Sequence, residues 1–243
     1  MPKVTTLLFD CDNTLVLSED MSFAGCAALV NEMCEGKHLD LPPFTGDTLM
    51  RQFVGQNFRG IMKTLQQQYG FTLSHDETES YVRREVDNLV ARIHVELEPC
   101  EGVDAVLRDV QEKYTLAVVS SSAMPRVQAC INKVNQAQFF GDRVYSAATS
   151  LNPPTTKPDP AIYLHAMKEL GVHASECVAI EDSRSGTLSG TRAGIKVIGY
   201  VGPYPAHERE DMAKALKDAG AVIIMDDWRD FETVLAKLEA GSV

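Results

Sequence analysis

The stretch Val4–Thr14, which reads VTTLLFDCDNT, joins a short β-branched and apolar run to a sudden pair of carboxylates. Val4–Phe9 is typical of a buried central strand, because a strand covered on both faces is apolar almost throughout. Asp10 and Asp12 then place two acids where the backbone leaves that strand. Taken alone, this pattern also suits an ordinary turn, since turns are rich in Asp and Asn.

Downstream of residue 99, apolar runs alternate with segments of helical periodicity. The further predicted strands are Leu116–Val119, Val144–Ala147, Cys177–Ile180, Lys196–Tyr200 and Ala221–Met225. Helical spacing is clear in Val103–Val110, and Asp159-Pro160 is a typical N-cap and first position of another helix. Strands separated by helices indicate an α/β fold with a doubly wound parallel sheet covered by helices on both faces. Ligands bind such sheets beyond the carboxyl ends of the strands.

Between the first strand and this alternation, the sequence has only helical patterns. The clearest is Ser74–Leu97, where apolar residues recur at helical spacing and where Ser74 with Glu77 predicts a capping box. We therefore expect two domains. Residues 1–17 and 98–243 would form the α/β core, and residues 18–97 an inserted α-helical domain.

Composition argues against several classes of protein. The chain has 243 residues, with 23 basic against 34 acidic residues and a formal net charge of −11. A nucleic-acid-binding protein normally presents a basic face, so no nucleic-acid partner is expected. No apolar run approaches the roughly 18 residues of a membrane span, and the early aspartates argue against a signal peptide. Six scattered cysteines without a C-x-x-C pair indicate free thiols in a reducing compartment. We expect a cytoplasmic monomer or homodimer with no membrane partner.

Two further motifs lie at the end of a predicted strand or on a loop beyond one. Ser120, Ser121 and Ser122 form a serine run that closes the strand Leu116–Val119, where a hydroxyl and exposed N–H groups suit a phosphate oxygen. Serine in this position also caps helices, so the motif alone is weak. Lys157 lies beside Pro158 on a stiff loop, although a single lysine is usually only solvated.

A second acid pair, Glu181 and Asp182, follows the strand Cys177–Ile180. Two unit charges about 4 Å apart repel by roughly 4 kcal/mol at an effective dielectric of about 20. A divalent cation removes that cost, and ligands that are all oxygen favour Mg²⁺ over zinc. The sequence therefore predicts a magnesium site at this edge of the sheet.

The ordered set of acid pair, hydroxyl, lysine and acid pair resembles the haloacid dehalogenase-like hydrolase superfamily, over nearly the whole chain. The helical insert after the first strand is similar to the cap domain of the branch that contains phosphoglycolate phosphatase, β-phosphoglucomutase and sugar-phosphate phosphatases. Asn13 stands where that branch usually has glycine. Asparagine tolerates left-handed backbone angles better than most residues, so the departure is mild.

The resemblance implies a Mg²⁺-dependent phosphatase that hydrolyses a small phosphate monoester through an aspartyl phosphate. The substrate would be a small phosphorylated metabolite such as a sugar phosphate, a polyol phosphate or phosphoglycolate. Asp10 would be the nucleophile, and Asp12 would act as general acid and then general base. Ser120, Ser121 and Lys157 would hold the phosphoryl oxygens, with Lys157 also offsetting charge at the nucleophile.

For the metal, the resemblance implies Asp10, the backbone carbonyl of Asp12, and Asp182 as ligands. Glu181 would be either a further ligand or a group behind the ligands. A dianionic phosphate must approach an anionic nucleophile among three further carboxylates, and a divalent ion together with a lysine makes that approach tolerable.

Substrate discrimination is expected in the inserted domain. Gln56, Asn57, Arg59 and Arg83 are candidates for contacts with hydroxyls or a second anion, although they also suit a polar helix start and solvated arginines. Ser22 stands where β-phosphoglucomutases carry a hinge histidine, so a mutase is the less favoured alternative.

Two classes of non-enzyme remain as rivals. A signalling receiver domain also combines acids, hydroxyls and a lysine at the edge of a doubly wound sheet, but it is much shorter and lacks the helical insert. A catalytically dead member of the family would serve only as a binding protein, yet all the catalytic residue types are present.

Overall fold

The structure is a computed structural model that describes residues 3–53 and 58–241, without the side chains of Glu19, Asp20 and Arg51. It divides into two compact units, Met1–Leu17 with Glu98–Val243 and, separately, Ser18–Leu97. We call the first the core unit and the second the inserted unit. Among the described residues, every helix is too short or too polar to span a lipid bilayer.

The core unit is built on six parallel strands. They are β1 (Thr6–Phe9), β2 (Thr115–Ser120), β3 (Val144–Ser146), β4 (Cys177–Glu181), β5 (Lys196–Tyr200) and β6 (Ile223–Met225), in the spatial order β3-β2-β1-β4-β5-β6. The predicted doubly wound parallel sheet is confirmed. Leu8 of β1 is paired with Ala117 of β2 and Ala179 of β4, so these three strands end side by side. The strand order reverses at β1, and this is where such sheets bind ligands.

The inserted unit is entirely helical in its described residues. It contains α1 (Glu19–Gly36), α2 (Gly46–Gln52), α3 (Phe58–Tyr69) and α4 (His75–Glu96). The capping box expected at the start of α4 is confirmed, because Glu77 N donates to Ser74 Oγ and Ser74 N donates to Glu77 Oε2. Helix α2 was not predicted. It has only seven residues, and Thr45 and Thr48 cap its start without the usual glutamate or glutamine.

Seven α-helices of the core unit, with the short 3₁₀ helices Ala174–Glu176 and Trp228–Asp230, complete the described fold. They are α5 (Val103–Val110), α6 (Met124–Lys133), α7 (Ala137–Phe140), α8 (Ala161–Leu170), α9 (Arg184–Arg192), α10 (Arg209–Asp218) and α11 (Phe231–Glu239). Helix α8 begins one residue later than expected, with Pro160 as its N-cap. Asp159 still satisfies a free backbone donor, because its Oδ1 accepts a hydrogen bond from Ala161 N.

Both faces of β1 are covered by apolar side chains. Leu8 packs into a cluster that includes Ile162 and Ala166 of α8. Phe9 points the other way, since successive strand residues alternate between faces, and its ring contacts those of Trp228 and Phe231. This double coverage explains why the first strand is apolar from Leu7 until Asp10, and it fixes the point at which the carboxylates leave the sheet.

Candidate active site

Asp10 is the first residue beyond β1 and is held there by the sheet. Its backbone N donates to the Ile180 carbonyl at 3.0 Å, and the side chain is largely buried. The chain then turns sharply, and Asn13 adopts a left-handed conformation with φ of 56°. This is the conformation for which asparagine is the best substitute for glycine, so the departure from the family pattern at this position is accommodated.

Lys157 lies against Asp10 in the buried centre of the site. Its Nζ donates to Asp10 Oδ1 at 2.5 Å, to Glu181 Oε1 at 2.6 Å and to the Val119 carbonyl at 2.8 Å. An ammonium group has three protons, so these three acceptors use all of them. The Lys157 backbone N also donates to Ser121 Oγ at 3.1 Å, which attaches the lysine loop to the end of β2.

The electrostatics of this centre are dominated by burial. Burial raises the pKa of Asp10 to about 7; Lys157 opposes that rise, while Glu181 and Asp12 add to it. For Lys157, burial alone would lower the pKa, but Asp10 and Glu181 outweigh it and raise the pKa above its usual range. The centre therefore holds more negative charge than one lysine can balance.

Glu181 is the last residue of β4 and is fully buried. Its Oε1 accepts from Lys157 Nζ and also from the Tyr163 hydroxyl. Burial and the neighbouring Glu181 raise the pKa of Tyr163 well above its usual value, so the phenol remains a donor. The other oxygen, Glu181 Oε2, is buried without a hydrogen-bond partner among the described residues.

Gly186 on α9 makes room for this glutamate. A Cβ added there would lie 1.7 Å from Glu181 Oε2. We expect Gly186→Ala to lower the free energy of unfolding by about 1–3 kcal/mol, because forcing an atom into a packed interior costs that much. It should also reduce turnover, because displacing Glu181 disturbs Lys157. Urea unfolding and steady-state kinetics measure the two effects.

Gly25→Ala in helix α1 is the matched control, because a Cβ there would have no atom within 4 Å. Alanine in a helix interior is about 0.5–1 kcal/mol more favourable than glycine, so this variant should be as stable as the parent or slightly more so. A Gly186→Ala protein with unchanged stability and turnover would contradict the packing described.

The three buried carboxylates of Asp10, Glu181 and Asp182 form a group that could hold a metal ion. One oxygen from each lies within 4.8 Å of the others. Asp182 is oriented by Tyr204, whose hydroxyl donates to its Oδ2 at 3.0 Å. The donors are all oxygen, the group is buried, and Glu181 Oε2 lacks a partner, so the residues fit a hard divalent cation such as Mg²⁺.

Asp12 lies at the same edge of the sheet but has different partners. Ser122 Oγ donates to its Oδ2 at 2.7 Å, and an Arg126 Nη donates to its Oδ1 at 2.7 Å. Ser120, buried at the end of β2, accepts from Ser122 N at 3.0 Å through its Oγ. The structure thus brings Asp10, Asp12 and the serine run to one edge.

The sequence analysis assigned no individual role to several residues that shape this site, which are Ser122, Arg126, Tyr163, Gly186 and Tyr204. Among them, Ser122 and Gly186 had a sequence signal, since the first ends the serine run and the second follows the acid pair closely. The remaining three reach the site from a helix or from the loop after β5, and no strand-end motif marks them.

Four residues of the inserted unit were predicted from the sequence to contact the substrate. Gln56 and Asn57 lie outside the described residues. Arg59 on α3 is exposed and pairs with Glu79, and Arg83 on α4 is exposed. Their role in substrate discrimination stays a prediction.

Comparison with known proteins agrees with this geometry. A profile of the haloacid dehalogenase-like hydrolase family matches residues 7–200. The 6-phosphogluconate phosphatase of Escherichia coli (strain K12) is 30% identical over 200 residues, covering 82% of this chain and 84% of its own. The phosphorylated carbohydrates phosphatase of Thermotoga maritima is 28% identical over 226 residues, covering 90% of this chain and 93% of its own.

Solved structures show the same likeness. A conserved haloacid dehalogenase-like protein of Agrobacterium tumefaciens str. C58 has a TM-score of 0.75 at 26% identity, covering 97% of this chain and 99% of its own. A family hydrolase from Deinococcus radiodurans R1, solved with bound phosphate and sodium, has a TM-score of 0.68 at 26% identity, covering 96% of each chain. The chain belongs to the haloacid dehalogenase-like hydrolase family. It is therefore a hydrolase, and the resemblance found in the sequence is confirmed.

Proposed function

We propose that the protein is a Mg²⁺-dependent phosphatase that hydrolyses a small phosphate monoester, most simply a sugar phosphate. The observation that carries this proposal is the buried Asp10, which is bonded to Lys157 and lies within the three-carboxylate group. Two relatives named as phosphatases of 6-phosphogluconate and of phosphorylated carbohydrates support the substrate class. The bound phosphate in the Deinococcus radiodurans relative supports the reaction type.

The reaction would proceed in two steps at Asp10. In the first, an Asp10 carboxylate oxygen attacks phosphorus, the bond from phosphorus to the ester oxygen breaks, and Asp12 gives a proton to the leaving alcohol. In the second, water attacks phosphorus, Asp12 takes a proton from that water, and the bond from phosphorus to Asp10 breaks. Inorganic phosphate leaves, and both aspartates return to their starting states. General acid–base help of this kind is typically worth about 10²–10⁴-fold.

Asp10, Asp182 and the backbone carbonyl of Asp12 would hold the Mg²⁺. When bound, the ion would offset the negative charge that burial concentrates at Asp10 and that a phosphate dianion increases. Glu181 already gives one oxygen to Lys157 and Tyr163, so its first task is to hold the lysine in place.

Lys157 would contribute mainly charge at the nucleophile. Its three protons are all engaged with protein acceptors, so a direct bond to a phosphoryl oxygen requires one of these bonds to be exchanged. Ser120 and Ser121 would supply the remaining contacts to the phosphoryl oxygens from the end of β2.

Removal of divalent cations tests the metal. Chelation with EDTA should abolish phosphate release, and added Mg²⁺ should restore it, because the uncompensated charge at Asp10 would repel the substrate. The assay measures free phosphate from p-nitrophenyl phosphate and from a panel of sugar phosphates, polyol phosphates, nucleotides and phosphoglycolate. Full activity after exhaustive chelation would remove the metal from the proposal.

The same panel tests the reaction type. A phosphatase releases free phosphate in proportion to the substrate consumed, whereas a mutase would convert one sugar phosphate into its isomer with little release. The cytoplasmic location and the monomeric or dimeric state expected from the sequence remain predictions.

A further inference from the structure

Two side chains from one short segment, Ser122 and Arg126, donate hydrogen bonds to the carboxylate of Asp12. Ser122 Oγ bonds Oδ2 and an Arg126 Nη bonds Oδ1, each at 2.7 Å. The side chains of Arg126 and Asp12 are 20% and 25% exposed, so the pair is shielded without being sealed from solvent. Each carboxylate oxygen thus accepts from its own donor, and the two hydrogen bonds together fix the orientation of the Asp12 carboxylate.

The segment that carries these donors is itself held in place. Ser122 N donates to Ser120 Oγ, and the Ser122 carbonyl accepts from Ser146 Oγ at 2.7 Å. Met124 N, at the start of α6, donates to Thr149 Oγ1 at 3.2 Å. The serine is therefore attached to the ends of two neighbouring strands, and Arg126 lies in the first turn of α6, the helix that follows it.

Stability alone gives a weak reason for this arrangement. Partly exposed ion pairs typically contribute about 0–1 kcal/mol. A carboxylate that acts as general acid or base, by contrast, works only when one of its oxygens lies within hydrogen-bond reach of the group that gives or receives the proton. An arrangement that fixes both oxygens of the predicted acid–base residue therefore bears on the chemistry more than on folding.

We propose that Ser122 and Arg126 form a two-point clamp that orients the carboxylate of Asp12 for proton transfer, which makes both of them positioning residues. We call this pair the Asp12 clamp. The inference rests on the proposed phosphatase reaction and adds to it two residues that act through Asp12 without touching phosphorus. Both donors hold the ionised carboxylate, so the consequence falls on the second step, where ionised Asp12 takes a proton from the attacking water. The protonated Asp12 that acts in the first step must exchange one of these two bonds.

Arg126→Gln with p-nitrophenyl phosphate and Mg²⁺ separates the two steps. The p-nitrophenolate group leaves without being protonated, so transfer of the phosphoryl group to Asp10 does not need Asp12. Hydrolysis of the aspartyl phosphate does need it. We expect steady-state kcat to fall at least about tenfold, a part of the usual acid–base contribution. Stopped-flow traces should show a burst of one p-nitrophenolate per site at a rate within about threefold of the wild-type first turnover.

Three matched variants complete the experiment. Ser122→Ala removes the other donor and should also lower steady-state kcat while keeping the first turnover. Arg126→Lys retains one donor and should recover part of the loss. Arg108→Gln, at an exposed arginine on α5 of the same unit, should behave as wild type.

The outcomes separate the clamp from the proposed function. Unchanged steady-state turnover in both Arg126→Gln and Ser122→Ala would overturn the clamp, as would an equal slowing of the first turnover and the steady state. If Arg126→Gln fails to fold, as judged by urea unfolding, Ser122→Ala decides. A wild-type protein that releases no p-nitrophenolate would instead count against the proposed function, and the clamp would fall with it.

Discussion

Replacing Asp10 with asparagine is expected to abolish phosphate release, with a loss of at least about a thousandfold in kcat, because loss of an enzymatic nucleophile typically costs that much or more. Asparagine has nearly the shape of aspartate and can still accept from Lys157 Nζ. It lacks the anionic oxygen that would attack phosphorus. The loss should appear with every substrate that the wild-type protein hydrolyses, measured as free phosphate over time.

The fold should survive this change. Burial raises the pKa of Asp10, and Lys157 keeps Glu181 as an anionic partner when Asp10 is neutral, so a neutral side chain is tolerated at this position. Asp142→Asn, at an exposed turn of the core unit, is the matched control and should be fully active. If Asp10→Asn keeps substantial activity while the control behaves as wild type, Asp10 is not the nucleophile.

Replacing Lys157 with methionine should destabilise the core unit by about 3–5 kcal/mol, the usual cost of removing one partner from a buried ion pair. The ammonium group is the cation within hydrogen-bond distance of both Asp10 and Glu181, and all three side chains are buried. Methionine keeps the apolar stem but leaves two carboxylates to repel one another. Urea unfolding in EDTA measures the loss without help from a bound cation, and turnover with Mg²⁺ should also be lost.

A double-mutant cycle shows whether this loss comes from the ion pair. Adding Glu181→Gln to Lys157→Met removes one of the two carboxylate charges left without the lysine and should recover part of the stability. Lys168→Met, at an exposed position on α8, should change stability by less than about 0.5 kcal/mol. A Lys157→Met protein as stable as the Lys168→Met control would contradict the buried network.

The sheet could be predicted because its strands have strong local signals. Thr6–Phe9 and Cys177–Glu181 are fully buried in the structure, and such strands are apolar along nearly their whole length. Thr6 and Glu181 are the polar exceptions, each at one end of its strand. Helix ends were harder to place, as α8 shows by starting one residue late. The short helix α2 escaped prediction because seven residues carry too little periodicity to distinguish it from a loop.

The residues of the candidate site also fall into a group that could be predicted and a group that could not. Asp10, Lys157, Glu181 and Asp182 could be proposed from their places at or beyond strand ends, and the structure brings them together. The residues that support these four side chains could not be proposed from the sequence. Their contacts depend on which helix face or loop packs against the carboxyl edge of the sheet. Arg126 is an example, since its position on a helix gives no indication that it reaches Asp12.

Trapping the covalent intermediate tests the attack by Asp10 most directly. The protein is mixed with a phosphate ester it hydrolyses and with Mg²⁺, quenched during turnover, and treated with borohydride, which reduces an aspartyl phosphate to homoserine. Peptide mapping should find homoserine at position 10, and Asp10→Asn should give none. Turnover with an unmodified Asp10, or with the phosphoryl group recovered on a serine such as Ser120, would contradict the account.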